Sequence, residues 1–186
     1  MGKPILMGSV ASPFVRRIRL LLDDADYDFQ IINVMSQEGQ DELAKHSRTR
    51  RVPVFLDGEL EIFDSPIIAA HVLRREFSLD EKLFMKEVDE LTDAGLLLYQ
   101  MKVFNLDPKR ESKMAKIIEG RLLRILSYLN EASAELGDDL GLKEIWLYTT
   151  LDWFKFRSVQ DWGVYENLVK FHQKFTSNEN IVKTAP

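Results

Sequence analysis

Residues 4–22 read PILMGSVASPFVRRIRLLL. Two local signals meet in this stretch. Pro4–Met7 is a short apolar run, expected as a buried strand. Ser12-Pro13 then joins a preferred N-cap side chain to the residue that suits the first helical position. Phe14, Val15, Ile18, Leu21 and Leu22 recur at helical spacing along one side, and Asp23, Asp24 and Asp26 close the segment. A strand feeding an amphipathic helix is the front of a crossover unit.

Working outward, Phe29–Val34 reads as a second strand and Ser36 to His46 as a polar helix or loop. Val52–Leu56 is a third strand. Asp57-Gly58 signals a two-residue hairpin, with Leu60–Phe63 as the returning strand. Ser65-Pro66 repeats the Ser-Pro helix start, and Ile67, Ile68, His71 and Val72 follow it. The crossover at the front implies parallel pairing and the hairpin at the back antiparallel pairing. A mixed four-stranded sheet flanked by helices is expected.

From about Phe77 the strand signals vanish. Leu83, Phe84, Val88, Leu91, Gly95 and Leu98 form one helical stripe; Ile118, Leu122, Ile125, Leu126 and Leu129 form the next. Arg74–Asp80 reads as a linker, dividing the chain into residues 1–76 and an all-helical domain at 81–186. A third helix is expected after Gly141 as N-cap. Glu144 sits at the capping-box position, and Leu140 and Ile145 are spaced for a hydrophobic staple. This helix is apolar nearly all round and should be central. Its exceptions, Asp152 and Arg157, are expected to cap or pair inside the helical domain.

Composition narrows the function. The chain has 186 residues, 45% of them hydrophobic, enough for a core. Its net charge of -5, from 25 basic and 30 acidic side chains, disfavours nucleic acid as the main partner. With no cysteine, disulfides, cysteine zinc sites and thiol nucleophiles are excluded. His46, His71 and His172 fall in separate elements without metal-ligand spacing, so no metal is expected. No phosphate-binding or dinucleotide fingerprint occurs. MGKPILMGSVASPF lacks a signal-peptide core, and no apolar run approaches a membrane span. A cytoplasmic protein without membrane contact is the expectation.

The order of elements and the residues at the turns resemble the glutathione S-transferase family, small bacterial members in particular. Ala11 to Leu20 (ASPFVRRIRL) is similar to the family's first-helix signature, in which Ser or Cys precedes Pro-Phe. Arg51-Val52-Pro53-Val54 resembles the segment whose proline is cis. Asp57-Gly58 resembles the hairpin, and Asp64-Ser65 the acidic-or-Gln plus Ser pair at the third helix. Phe154 to Arg157, Asp161-Trp162, Asn167-Leu168 and Thr184-Ala185-Pro186 extend the likeness over nearly the whole chain. One stretch departs. Where the family has Asn-Pro-x-Gly-Lys, this chain has Ser47-Arg48-Thr49-Arg50-Arg51, which is more basic and lacks the Pro and Gly.

The resemblance implies a thioredoxin-like α/β N-terminal domain that binds glutathione and an all-α C-terminal domain. It implies a homodimer joined through the third helix of the first domain and the first two helices of the second. It also implies transfer of the glutathione thiolate to a small hydrophobic electrophile, a detoxification or stress-response chemistry. Glutathione is the co-substrate, and no metal is needed. A free thiol is mostly protonated at neutral pH. Ser12, from its residues a helix cap, would under the resemblance donate to the sulfur beside a helix N-terminus, with Ser9 as the alternative. Val52, before Pro53, would pair its backbone with the ligand. Ser65 would receive the γ-glutamyl carboxylate at a helix start, and Asp64 the ammonium. Arg51 would meet the glycine carboxylate, with Lys45, His46 and Arg50 as rivals. Tyr99 and Phe104 are candidates for the electrophile side. Two other functions fit the same residues. One is glutathione-dependent disulfide or peroxide reduction, which without a cysteine would need two glutathiones. The other is a non-catalytic interaction module, which the altered Ser47–Arg51 loop favours.

Overall fold

A computed structural model describes residues 2–23 and 25–186. It divides into two compact units, Met1–Phe77 with Asn178–Pro186, and Ser78–Ser177.

In the first unit, β1 (Ile5–Gly8), α1 (Pro13–Leu22), β2 (Asp28–Ile31), α2 (Gln37–His46), β3 (Val54–Asp57), β4 (Leu60–Phe63) and α3 (Ser65–Leu73) follow one another. The strands form a four-stranded sheet in the order β2-β1-β3-β4. β1 pairs parallel with β2, while β1 with β3 and β3 with β4 are antiparallel. This is the expected mixed sheet. β4 sits where predicted, β1 and β3 start one and two residues later, and β2 ends at Ile31, three residues before the predicted Val34. The turn between β3 and β4 has Gly58 at a φ of 62°, a conformation that glycine adopts without steric cost. Ser36 caps α2 by accepting from the Gly39 N–H at 3.1 Å, so the polar segment is a helix.

Alternation along β1 sends Leu6 and Met7 to opposite faces. Met7 joins Ile32, Leu43 and Val54 in a buried cluster, with Ile5, Val34, Val52, Leu56 and Phe63 against it. Val15 and Ile18 of α1 and Ile68 and Ala69 of α3 are buried where those helices pack together. A Cβ on Gly8 would fall 2.5 Å from a Val15 methyl, so glycine there lets α1 sit close to its strand. Asp23 is the C-cap of α1; Asp24, expected beside it, lies outside the described residues.

The last element of this unit is α8 (Glu179–Lys183). Two arginines of α1 hold its C-terminal end. Arg16 donates to the Ile181 carbonyl at 2.9 Å and to the Thr184 hydroxyl at 3.3 Å; Arg19 donates to the Thr184 carbonyl at 3.1 Å. These cations satisfy helix-end carbonyls that the helix itself leaves open.

The second unit is helical: α4 (Leu79–Val103), α5 (Lys113–Ala132), α6 (Leu142–Arg157) and α7 (Glu166–Phe175). α4 begins inside the stretch read as linker. Ser78 and Glu81 form a capping box, Glu81 N–H to the Ser78 hydroxyl at 3.1 Å and Ser78 N–H to the Glu81 carboxylate at 2.8 Å. Leu83, placed on the apolar stripe by its spacing, is exposed. α6 is central as expected, with Trp146, Leu147, Tyr148, Leu151 and Phe154 buried. A Cβ on Gly95 of α4 would lie 2.4 Å from the Phe154 ring, so glycine sets the α4–α6 approach. Glu144 does not close a box on Gly141; its carboxylate instead accepts from the Gly137 N–H at 3.2 Å. Asp152 pairs with His172 of α7 at 2.9 Å, and the imidazole stacks on Tyr148 with centroids 4.6 Å apart. The Arg157 guanidinium lies over the rings of Tyr99 and Phe156.

Candidate functional site

The sheet register gathers three loops. Met7 pairs with Val54, and Val54 with Phe63. β1 runs toward this rung, β3 starts on it and β4 ends on it. The segments carrying Ser12, Arg51–Val52–Pro53 and Asp64–Ser65 therefore all leave the sheet at one end. Residues more than fifty apart in sequence, such as Ser12 and Ser65, become neighbours in the topology.

Ser12 is half-buried and is the N-cap of α1. Its hydroxyl oxygen accepts from the Val15 N–H at 3.4 Å, and its own N–H donates to the Ser9 carbonyl at 3.1 Å. The capping bond is long and uses only a lone pair. The hydroxyl proton remains available to another acceptor, so capping and donating to a sulfur are compatible roles. Ser9 lies in the turn before it.

The Val52–Pro53 peptide bond is cis. Val52 is half-buried and Pro53 buried, at the entry to β3. Asp64 is exposed and has φ 79° and ψ 123°, outside the regions open to non-glycine residues without strain. It occupies the N-cap of α3, yet its side chain makes no capping bond. Ser65, read from sequence as the start signal, is already the first helical residue and is 2% exposed.

The Ser65 hydroxyl meets a residue to which the sequence pattern assigns no role. Arg17, fully buried on α1, places Nη1 3.5 Å from Ser65 Oγ, with its guanidinium 4.8 Å from the centre of the Phe14 ring. No sequence signal marks it: its burial beside Val15, Ile18 and Leu20, on the helix capped by Ser12, is visible only in the fold.

Among the cations proposed for the glycine carboxylate, two have partners. Lys45 bonds Glu42 at 2.5 Å, and His46 Nδ1 lies 2.7 Å from Glu61. The Lys45 bond raises its own pKa and lowers that of Glu42. Among the described residues no carboxylate pairs with Arg50 or Arg51, and both side chains are exposed. Arg50 has a left-handed φ of 50°, which turns the loop before Val52.

The remaining histidines also pair with carboxylates, His71 with Asp57 at 2.8 Å and His172 with Asp152. Among the described residues no group of three or more His, Asp or Glu is placed to hold a metal ion. Within the second unit, Tyr99 meets Trp153 edge-on at 5.7 Å, and Phe104 is exposed at the end of α4. That unit also holds an open cleft of about 760 Å³. Its Arg110 is engaged by Glu119 and Gln160, each at 2.9 Å, and by the Val159 carbonyl.

Residues 6–79 match the family described as Glutathione S-transferase, N-terminal domain. The chain is 29% identical over 198 residues to an uncharacterized GST-like protein, YibF, of Escherichia coli strain K12, covering 97% of this chain and 98% of that one. Its fold is that of a glutathione S-transferase of Methylobacillus flagellatus KT solved with GSH bound, at a TM-score of 0.86 and 19% identity, covering 99% and 100% of the two chains. A glutathione transferase family member from Pseudomonas fluorescens Pf-5, solved with bound glutathione, gives 0.87 at 19% identity over 99% of each chain. The sheet order, the turn residues and these matches agree: residues 6–79 match a glutathione S-transferase N-terminal domain, and the chain as a whole has the fold of the solved glutathione S-transferases.

Proposed function

We propose that this protein binds glutathione in residues 1–76 and adds its thiolate to small hydrophobic electrophiles. The observation that carries the reading is the shared sheet end of the loops bearing Ser12, Val52 and Asp64–Ser65. An extended tripeptide lying across that end would meet two helix N-termini with a strand entry between them. The start of α3 suits the γ-glutamyl carboxylate, because its first N–H groups lack intrahelical partners and carry partial positive charge. Asp64, exposed there, suits the ammonium. The Val52 backbone suits the ligand's own backbone, and Arg51 its glycine carboxylate. The thiol then falls to Ser12, whose hydroxyl proton and helix start favour the charged sulfur. The sulfur lone pair forms the new bond to an electrophilic carbon, and the displaced group or a proton taken up by the adduct balances the charge.

The chain is proposed to act as a cytoplasmic homodimer. Exposed Ile67 on α3 and exposed Leu83 and Leu97 on α4 are apolar side chains that a partner copy would cover. No helix among the described residues is long and apolar enough to cross a membrane. A second reading, a non-catalytic interaction module, is favoured by the exposed Arg48, Arg50 and Arg51 in the loop that departs from the family. Retention on immobilised glutathione, release by free glutathione and turnover of a chromogenic aryl halide separate the readings. Retention with turnover supports the transferase, retention without turnover supports the module, and no retention removes the glutathione reading.

A further inference from the structure

We propose that Arg17 is a positioning residue for the γ-glutamyl carboxylate, acting through Ser65. This inference rests on the glutathione reading above and names a part of that site which touches no ligand.

An arginine with no exposed surface is rare, because its charge is lost neither by deprotonation nor by rotation into water. Its burial costs desolvation, which an apolar side chain filling the same volume would avoid. The neighbouring arginines of α1 point elsewhere, since Arg16 and Arg19 hold the α8 carbonyls. Arg17 instead places Nη1 3.5 Å from Ser65 Oγ at the first residue of α3, and Phe14 covers its guanidinium at 4.8 Å. A guanidinium only donates, so the Ser65 oxygen is the acceptor in this contact. The hydroxyl proton is thereby turned away from Arg17 and toward another acceptor. At a helix N-terminus that acceptor is best an anion. The buried positive charge reinforces the same preference, since its field is weakly screened there. Arg17 thus orients the Ser65 donor and adds charge behind it.

Titration calorimetry of the full chain tests this with two probes: glutathione, and glutathione whose γ-glutamyl α-carboxylate is replaced by the carboxamide. Arg17→Met is expected to weaken glutathione about tenfold or more and to leave the amide within about twofold. In a Ser65→Ala background the same change should cost less than about threefold, because the two residues act as one unit. Arg17→Lys, which keeps charge but loses the planar fork, should recover most of the affinity. Equal losses for both probes, or full additivity with Ser65→Ala, would overturn the proposal in favour of a packing role. If Arg17→Met does not melt cooperatively, Arg17→Lys decides: glutathione weakened about threefold with the amide unchanged supports it, and equal changes overturn it. Wild-type chain that binds no glutathione removes the underlying reading. Wild-type binding with Arg17→Met unaffected removes this inference alone.

Discussion

Ser12 and Asp64 are the residues at which local structure and proposed chemistry separate most cleanly. If the Ser12 hydroxyl stabilises the thiolate, Ser12→Ala should lower turnover on the order of a hundredfold while barely changing glutathione affinity, because the bond matters chiefly for charged sulfur. The thiolate absorbance of the bound ligand should then appear at higher pH. A helix cap alone predicts a stability loss of about 1 kcal/mol with rate and thiol titration unchanged. Asp64 holds a φ of 79° that costs a non-glycine residue about 1–3 kcal/mol, a strain consistent with the proposed use of its carboxylate. Asp64→Gly should raise the melting temperature, by relieving that strain, and weaken glutathione binding; a parallel fall in both would contradict this reading of Asp64. Ser12 and Ser65 stood out in the sequence as Ser-Pro helix starts, whereas Val52-Pro53 and the proposed roles of all these residues came from the family resemblance. Arg17 was not legible, since a basic residue in an amphipathic helix reads as a solvated face until its neighbour 48 positions away is known.

At the scale of elements, the capping box of Ser78 and Glu81 starts the longest helix, Leu79–Val103. Ser78→Ala should cost about 1 kcal/mol, read as a lower thermal midpoint with no change in ligand binding. A variant as stable as wild type would mean that packing alone fixes this start. Ser-x-x-Glu stood plainly in the sequence, but it followed a polar run that read as linker. At α6 the reverse occurred: Glu144 stood at a capping-box position, yet Gly141 has no side chain to reciprocate, and the carboxylate turned to the Gly137 N–H. The parallel pair at the front and the antiparallel hairpin at the back were legible from the crossover and the turn, whereas the central β1–β3 pairing and the strand order were not. Strand ends were less so, because apolar residues such as Val34 and Val52 pack against the sheet's core without pairing in it. α7 and α8 were not read as helices. Polar caps and a short length hide α8, and His172 and Asn167 interrupt the apolar pattern of α7.

For the whole molecule, the C-terminal segment belongs with the first unit, and this could not be read from periodicity. Its anchors are guanidinium bonds from Arg16 and Arg19 to carbonyls of residues 181 and 184, which leave no hydrophobic signature. The proposed homodimer predicts a sedimentation coefficient of two chains at micromolar concentration; a monomer there would contradict it. The central claim is that the sheet end bearing Ser12, Val52 and Ser65 binds glutathione, and calorimetric titration of the full chain tests it most directly. Saturable heat is expected with a dissociation constant at or below about 1 mM, weakened about tenfold or more by Ser65→Ala through loss of a charge-assisted hydrogen bond. No saturable heat up to about 10 mM glutathione, or binding that Ser65→Ala leaves unchanged, would contradict it.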